Sequence, residues 1–310
     1  MGERRAHPEG DDEGDPEDQG GPGGRPGARV SEPTAGGRTG PGDPARLSVC
    51  IIACNEERDL PRCLASVAFA DEIVVVVDSR SGDATEKLAR EAGARVLVHP
   101  YEGNIEQKNL ALEHARGEWV LALDADEAIS DELADEIRTF LSAPGSAPGM
   151  EINRVTWHLG RWIRHGEFFP DWQLRIFRRG AGRWEGTNPH GRVQLGAGAS
   201  SGRFRGEAYH WSYRDLADQV DRIQDFSSIQ AAANRERGRG HSLRDMILRP
   251  PARFLRAYLL KQGWRDGVPG FVIAAATAFH VFLKYAKQWE LERIGVQAEP
   301  PSAGKARRTS

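Results

Sequence analysis

Cysteine is scarce in this chain, with three residues among 310, and no long uninterrupted apolar run occurs. The three thiols, Cys50, Cys54 and Cys63, form an odd set in one short region, without the C-x₂-C spacing or the Cys/His clustering of a zinc site. An odd, closely spaced set also argues against a disulfide framework. We therefore expect buried, reduced thiols rather than a metal centre or covalent cross-links.

The chain also lacks an imbalance of charge, since 42 basic and 45 acidic residues leave a net charge of −3. Domains that bind nucleic acid usually carry a basic excess, so we expect no nucleic-acid partner. No G-x-G-x-x-G follows the first predicted strand, and no G-x-x-x-x-G-K-[ST] occurs anywhere. These absences argue against a Rossmann dinucleotide site and against a P-loop nucleotidase.

Large apolar side chains are almost missing from both ends of the chain. Residues 1–44 contain 12 Gly, 7 Pro and 10 acidic residues against 5 Arg. Such a segment cannot bury enough surface to offset the entropy lost on ordering. We expect disordered tails at 1–45 and 295–310. The acidic, Gly/Pro-rich start also predicts no secretory signal, and a cytoplasmic protein is the default expectation.

Between the tails, apolar runs alternate with segments of helical periodicity. The predicted strands are 47–54, 72–78, 94–98 and 119–123, and a predicted helix follows each of them, the last one capped by Ser130. Near-continuous apolar runs are typical of strands covered on both faces. This alternation predicts an α/β fold, with a Rossmann-like, mostly parallel sheet flanked by helices.

Polar side chains follow three of these strands at the point where each strand ends. In such sheets, ligands bind at the carboxyl ends of the strands. Alternating carboxylates after a buried strand favour a hard divalent cation, although an isolated D-x-D can equally cap the following helix. The residues in question are Asn55 and Glu56 after the first strand, Asp78 and Ser79 after the second, and Asp124 and Asp126 after the fourth.

Four ordered segments resemble the family-2 glycosyltransferases of the GT-A fold. They are V-C-I-I-A-C-N-E-E (49–57), V-D-S-R-S-G-D-A-T (77–85), K-N (108–109) and G-E-W-V-L-A-L-D-A-D-E (117–127). The second segment departs from the usual D-S-G-S-T-D-G-T, since Arg80 and Ala84 replace glycines and Gly82 replaces a hydroxyl residue. Later segments are similar to a subgroup that includes the bacterial lipopolysaccharide-core glucosyltransferases, although Gly191 stands where that subgroup has Glu.

The resemblance implies a metal-dependent, inverting transfer of a sugar from a nucleoside-diphosphate donor, with a UDP-sugar as first choice. The acceptor it implies is a cell-envelope glycan or lipid such as a lipopolysaccharide core. Mg²⁺ or Mn²⁺ would be held on the diphosphate by Asp126, and would neutralise charge on the leaving group. The substrate-binding residues it implies are Asn55, Glu56, Asp78, Ser79, Lys108 and Asp124.

An inverting transfer needs one general base to deprotonate the acceptor hydroxyl. Asp171, Glu185 and His190 are the candidates. We favour Asp171, because it precedes a predicted strand and is flanked by aromatic residues that can stack on a sugar ring. A plain turn aspartate is the alternative reading of Asp171, and His190 is the second choice for the base.

The last third of the chain is rich in both basic and apolar side chains, with nine basic residues in 235–265. We expect a basic, apolar helical extension at 236–294 behind a glycosyltransferase domain at 46–235. Its apolar face would lie on an anionic bilayer, at the cytoplasmic face of the inner membrane, or pack on the sheet. The apolar run at 268–283 is too short and interrupted to predict a span.

Two other functional classes stay open at this point. A nucleotide-sugar-binding protein that has lost catalysis is suggested by Gly191 and Arg80. A D-x-D phosphatase of the haloacid-dehalogenase type is the weaker alternative, because its nucleophilic Asp would end the leading strand, where this chain has Cys54.

Overall fold

The computed structural model describes residues 29–30, 46–188, 190–238, 240 and 242–293. The strands are β1 (Arg29–Val30), β2 (Leu47–Ala53), β3 (Glu72–Asp78), β4 (Arg95–His99), β5 (Trp119–Asp124), β6 (Glu127–Ile129), β7 (Gly149–His158), β8 (Arg161–Ile163), β9 (Asp171–Arg178), β10 (Gly182–Thr187), β11 (His190–Leu195) and β12 (Ser201–His210). The α-helices are α1 (Leu60–Ser66), α2 (Thr85–Glu91), α3 (Asn104–His114), α4 (Asp131–Ser142), α5 (Leu216–Glu236), α6 (Leu243–Leu255) and α7 (Gly267–Arg293).

The first half of the folded chain forms four parallel strands in the order β4-β3-β2-β5. Alternate residues of β2 enter two separate cores: Val49 and Ile51 pack on the side of α1 and α4, whereas Cys50 packs on the side of α3. Both faces are covered, which is why β2 reads as an unbroken apolar run. The expected fold class, a GT-A-type sheet flanked by helices with a C-terminal helical extension, is confirmed.

The second half of the sheet is mixed and continues in the order β9-β7-β12-β6. Strand β9 pairs antiparallel with β5, β12 pairs parallel with β7, and β6 closes this edge antiparallel to β12. Because β6 begins three residues after β5 ends, the turn that holds Asp126 lies between strands that are far apart in the order of the sheet. A separate hairpin, β10–β11, covers the α3 side of the core through Trp184 and Val193.

The expected tails and the expected domain boundary can be compared with the structure. Strand β1 lies within the segment expected to be a tail and pairs antiparallel with β4, while the rest of 1–45 and all of 295–310 lie outside the described residues. The expected boundary between 46–235 and 236–294 falls at the end of α5, which packs against α7 across it. The division into domains stays a prediction.

Helix α7, with the turn before it, forms a stretch from Gly263 to Arg293 that is long and apolar enough to cross a membrane. The mean hydropathy of its most apolar window is 1.5, and 22% of that window is buried. Length and composition alone are weak evidence for a span, because core helices of soluble proteins pass the same test.

All three cysteines are free, as expected, but only Cys50 and Cys63 are buried. Cys54 is exposed, because β2 ends at Ala53 and the chain turns out of the core there. Burial raises the pKa of the Cys63 thiol well above its usual value, and nearby carboxylates raise it further.

Candidate active site

A cavity of about 660 Å³ opens at the carboxyl ends of β2, β3 and β5. The structure brings five of the residues singled out in the sequence into its wall: Glu56, Asp78, Lys108, Asp124 and Asp126. The parallel order of the strands causes this, since loops distant in sequence meet at one edge of the sheet. The roles of these residues in substrate binding stay predictions.

Asn55 and Ser79 do not line this cavity. The Asn55 side-chain oxygen accepts the Gly82 N–H at 2.9 Å, and the Asn55 N–H donates to Ser81 Oγ at 3.0 Å. Its φ of 56° is a left-handed conformation that asparagine tolerates better than most residues. Ser79 is exposed, and its N–H donates to the His99 carbonyl. Asn55 thus joins the loops after β2 and β3.

Behind the cavity lies Glu127, whose side chain is fully buried. One of its oxygens accepts Arg154 Nη1 at 2.6 Å and Arg175 Nη2 at 3.0 Å, and the other accepts the Asp124 N–H at 3.0 Å. Burial opposes ionisation, but Arg175 and Arg154 hold the pKa of Glu127 below its usual range. Glu127 is therefore a charged structural residue and is not available to a ligand.

Asp124 is also paired on both sides. Lys108 Nζ lies 2.6 Å from one carboxylate oxygen, and Arg175 Nη2 lies 3.1 Å from the other. Although burial acts in the opposite direction, Lys108 and Arg175 hold the pKa of Asp124 well below its usual range. Both cations also face the ring of Trp184, at 4.2 and 5.3 Å. Asp124 thus fixes the position of Lys108 at the cavity wall.

Asp126 differs from its neighbours, because the side chain beside it is an imidazole and not a guanidinium or an ammonium group. His210 Nε2, at the end of β12, lies 3.4 Å from an Asp126 carboxylate oxygen. The turn is held to β12 by a hydrogen bond from the Trp211 N–H to the Asp126 carbonyl. Sequence reasoning missed His210. A histidine ending a strand was visible, but nothing local placed that strand beside the D-x-D.

The pair formed by Asp126 and His210 suits a divalent cation that arrives with its substrate. Within the described ranges, no three His, Cys, Asp or Glu side chains are grouped so that they alone could hold a metal ion. Mg²⁺ commonly takes only one or two protein ligands and completes its shell with water and substrate phosphates. The donor set therefore fits a diphosphate-bound cation.

Glu56 faces this pair across the cavity and carries an altered acidity. Burial raises the pKa of Glu56 to about 7, with contributions from the negative charges of Asp126 and Asp59. A cation on Asp126 would offset part of that repulsion. The protonation of Glu56 is therefore expected to respond to occupancy of the neighbouring position.

Arg80, which replaces a glycine of the family motif, covers Asp78. Its Nη2 and Nε reach the Asp78 carboxylate at 2.5 and 3.0 Å, and hydrogen bonding by Arg80 lowers the pKa of Asp78. The guanidinium also lies over the ring of Tyr101 at 4.7 Å. A ligand at this end of the cavity would meet a guanidinium fork instead of a bare carboxylate.

The three candidates for the general base lie in different surroundings. Asp171 borders the cavity without lining it: Arg154 Nη2 approaches its carboxylate at 2.6 Å, and Gln173 Nε2 donates to it at 2.6 Å. Glu185 is exposed on β10. The backbone of His190 pairs with Thr187, and its side chain lies outside the described part of the structure.

Comparison with known proteins gives a consistent set of matches. The profile of the family described as "Glycosyl transferase family 2" matches residues 48–202. "Lipopolysaccharide core biosynthesis glycosyltransferase LpsC" of Rhizobium meliloti is 31% identical over 82% of this chain and 95% of its own length. An uncharacterized glycosyltransferase of Rickettsia typhi is 29% identical, over 79% of this chain and 87% of its own length.

Among solved structures, residues 1–349 of S. aureus TarS align over 81% of this chain and 92% of that chain. The identity is 16% and the TM-score is 0.41.

Glu56→Gln should remove a pH-dependent cost of folding. The pKa of Glu56 is about 7 in the folded protein against 4.5 for an unperturbed glutamate, so the folded state binds more protons between these values. The wild type should therefore lose stability relative to the variant as pH rises from about 4.5 to 7, with the full loss above 7. Melting temperatures in EDTA should show a gap near zero at about pH 4.5 and of several degrees above pH 7.

Glu113→Gln, at an exposed position on α3, is the matched control and should give no such pH-dependent gap. A gap between wild type and Glu56→Gln that stays constant across this range would contradict the account of Glu56.

Proposed function

Because the chain belongs to glycosyltransferase family 2, we propose that it transfers a sugar from a UDP-sugar donor to a cell-envelope glycan or lipid acceptor. One observation carries the proposal: Asp126 and His210 face each other in the cavity that also contains Glu56, Asp78 and Lys108. The naming of LpsC as a lipopolysaccharide core glycosyltransferase supports a core oligosaccharide as the class of acceptor.

In this proposal Asp126 and His210 would hold Mg²⁺ or Mn²⁺, which would supply charge neutralisation at the leaving diphosphate. Lys108 adds a second positive charge to the same wall, and Asp124 orients it through their 2.6 Å contact. Two side chains leave most of the coordination shell to water and to the diphosphate oxygens, so the diphosphate would strengthen binding of the cation.

The nucleoside end of the donor lies, in this proposal, between Glu56 and Asp78. Asp78 reaches the donor through Arg80, whose fork donates hydrogen bonds to acceptor atoms of the base or ribose. Asn55 and Ser79 act by fixing the loops after β2 and β3, since neither side chain lines the cavity.

Asp171 remains our first choice for the general base, with His190 second. Arg154 contacts Asp171, Glu127 and the cavity, so the Asp171 carboxylate is oriented by the same charge network that positions Asp124. The acceptor hydroxyl would approach Asp171 from the side of Trp172 and Gln173, which line a neighbouring cavity of about 800 Å³. That cavity also contains Lys108 and Asp124, so the two cavities meet at the D-x-D.

A nucleotide-sugar-binding protein without turnover is the second candidate function. The observation in its favour is that Arg80, which stands where the family motif has glycine, pairs with Asp78 at the donor end of the cavity. Both candidates bind a donor, and only the first consumes it in the presence of an acceptor.

The apolar surface around the α6–α7 bend would rest on an anionic bilayer. Exposed apolar side chains alternate there with Lys261 and Arg265, which complement anionic headgroups. In this proposal the enzyme is a peripheral protein of the cytoplasmic membrane face, where a lipid-linked acceptor is accessible. The apolar residues of this membrane face are Leu255, Leu259, Leu260, Trp264, Val268 and Phe271, each about half or more exposed.

Asp126→Ala and His210→Ala should each weaken Mn²⁺-dependent binding of UDP by about tenfold or more, because each removes one of two protein ligands. Titration calorimetry with Mn²⁺ and with EDTA measures this difference. Asp135→Ala, an exposed aspartate on α4, is the control and should bind as the wild type does. Undiminished Mn²⁺-dependent affinity in both cavity variants would refute the assignment.

Asp171→Asn should lower turnover by roughly 10² to 10⁴, the usual contribution of a general base, and leave UDP affinity unchanged. The measurement is UDP release from UDP-sugars with cell-envelope extract as acceptor, alongside a melting curve that checks folding. Turnover close to that of the wild type would move the base to His190 or Glu185. A wild type that binds UDP yet never releases it from any UDP-sugar would favour the second candidate function.

A double variant, Leu260→Glu with Val268→Glu, should lose most of its sedimentation with phosphatidylglycerol vesicles. Both side chains are at least three-quarters exposed, so the charges should not disturb the core. Leu216→Glu, at the start of α5, is the control for an added surface charge. Equal sedimentation of wild type and double variant would argue against the membrane face.

A further inference from the structure

A third cavity, of about 560 Å³, lies between α5, α6, α7 and the 3₁₀ turn Gly166–Phe168. Its volume is within the range of roughly 300–1,000 Å³ seen for small-molecule sites. Three arginines and one lysine line it, and Glu167 is the one carboxylate among the lining residues that the structure describes. The cations are Arg249, Arg253, Arg256 and Lys284.

The carboxylates nearby do not neutralise this set. Glu167 is shared by Arg253 at 2.7 Å and by Lys261 at 3.3 Å, and Asp245 contacts Arg249 at 3.0 Å. No ion pair to a carboxylate is formed by Arg256 or Lys284 within the described residues. The cavity therefore carries an excess of positive charge.

Two further observations favour the binding of an anion in this cavity. The Nε of Arg253 is buried without a hydrogen-bond partner in the part of the chain described, as is Oε2 of Glu167, whose other oxygen accepts from Arg253 Nη2. Burial lowers the pKa of Lys284, and the charges of Arg249 and Arg253 lower it further. Half-buried like charges and an unpaired N–H both destabilise the free protein, and an oxyanion would relieve both.

The position of the cavity relates it to the donor site. Tyr213 lines both this cavity and the 660 Å³ donor cavity. Helix α5 lies between the two, with Ile223 lining this cavity and Phe226 lining the donor cavity. Glu167 and Phe168 belong to the segment that leads into Asp171. On the opposite side, Arg256 opens the turn whose leucines form part of the membrane face. A lipid-linked acceptor would pass this cavity between the bilayer and the donor.

Resting on the proposed glycosyl transfer, we propose that this cavity binds a phosphate or carboxylate group carried by the acceptor. Arg256 and Lys284 would supply the charges left unpaired in the free protein, with Arg253 donating its buried Nε–H. A guanidinium fork beside an ammonium suits a tetrahedral or planar oxyanion through charge-assisted hydrogen bonds. The acceptor would thus be an anionic sugar, recognised at a position removed from the reacting hydroxyl.

The test uses the full chain with UDP and Mn²⁺ present, so that the donor cavity is filled. Glucose 6-phosphate and glucuronate should raise the melting temperature of the wild type, because a ligand of the folded state stabilises it, whereas glucose should not. Arg256→Gln with Lys284→Gln should bind both anions at least tenfold more weakly. The control, Arg237→Gln with Arg244→Gln, removes two exposed cations outside this cavity and should bind both anions as the wild type does.

The outcomes separate the possible sources of the anion. Equal anion affinity in wild type and cavity variant, or no binding of either anion to the wild type, overturns the proposal. Phosphatidylcholine vesicles with and without phosphatidylglycerol form the second arm. A dependence on Arg256 and Lys284 that is seen only with the anionic vesicles assigns the charges to the bilayer and also overturns it. UDP affinity is measured on the same protein preparations before UDP is added. A wild type that does not bind UDP would contradict the proposed function, whereas the anion result tests the cavity independently.

Discussion

The buried ion pair between Glu127 and two arginines is the interaction on which the geometry of the site depends. Glu127 begins β6, Arg154 comes from β7 and Arg175 from β9, so the contact joins three strands of the mixed half of the sheet. The second carboxylate oxygen accepts the Asp124 N–H and ties the group to the end of β5. Removing one partner would leave an uncompensated buried charge, which costs roughly 3–5 kcal/mol in such pairs.

The three neighbouring acids have different partners in this network. Glu127 forms a buried ion pair with Arg175, and Asp124 forms ion pairs with Lys108 and Arg175. Asp126 is the carboxylate of the D-x-D that lies beside a histidine, and in our proposal it shares a metal ion with His210. The same logic extends to Arg154, which links Asp171 to Glu127 and so connects the proposed base to the proposed metal position.

The parallel half of this fold, and the residues at its edge, could be predicted because the signals there are local. Buried strands such as β2 read as apolar runs, and the carboxyl-end rule then placed Asp78 and Asp126 in one cavity. The mixed half carries no comparable signal. Strand β6 has only three residues, and β9 inserts between β5 and β7 through pairings distant in sequence. His210 was missed for that reason.

The directions of individual side chains could not be predicted from the sequence either. Asn55 was expected at the donor because it follows β2, but its left-handed backbone turns its amide toward Gly82. Arg80 was visible as a departure from the family motif, while its contact with Asp78 depends on how the loop is folded.

We propose that Asp126, and not Asp124, meets the cation and the diphosphate. The decisive measurement is a crystal structure with UDP and Mn²⁺, in which anomalous scattering locates the manganese. We expect manganese within about 2.0–2.3 Å of an Asp126 carboxylate oxygen and of a diphosphate oxygen, with Asp124 still on Lys108. Manganese bound to Asp124, or a diphosphate bound away from Asp126, would refute this assignment.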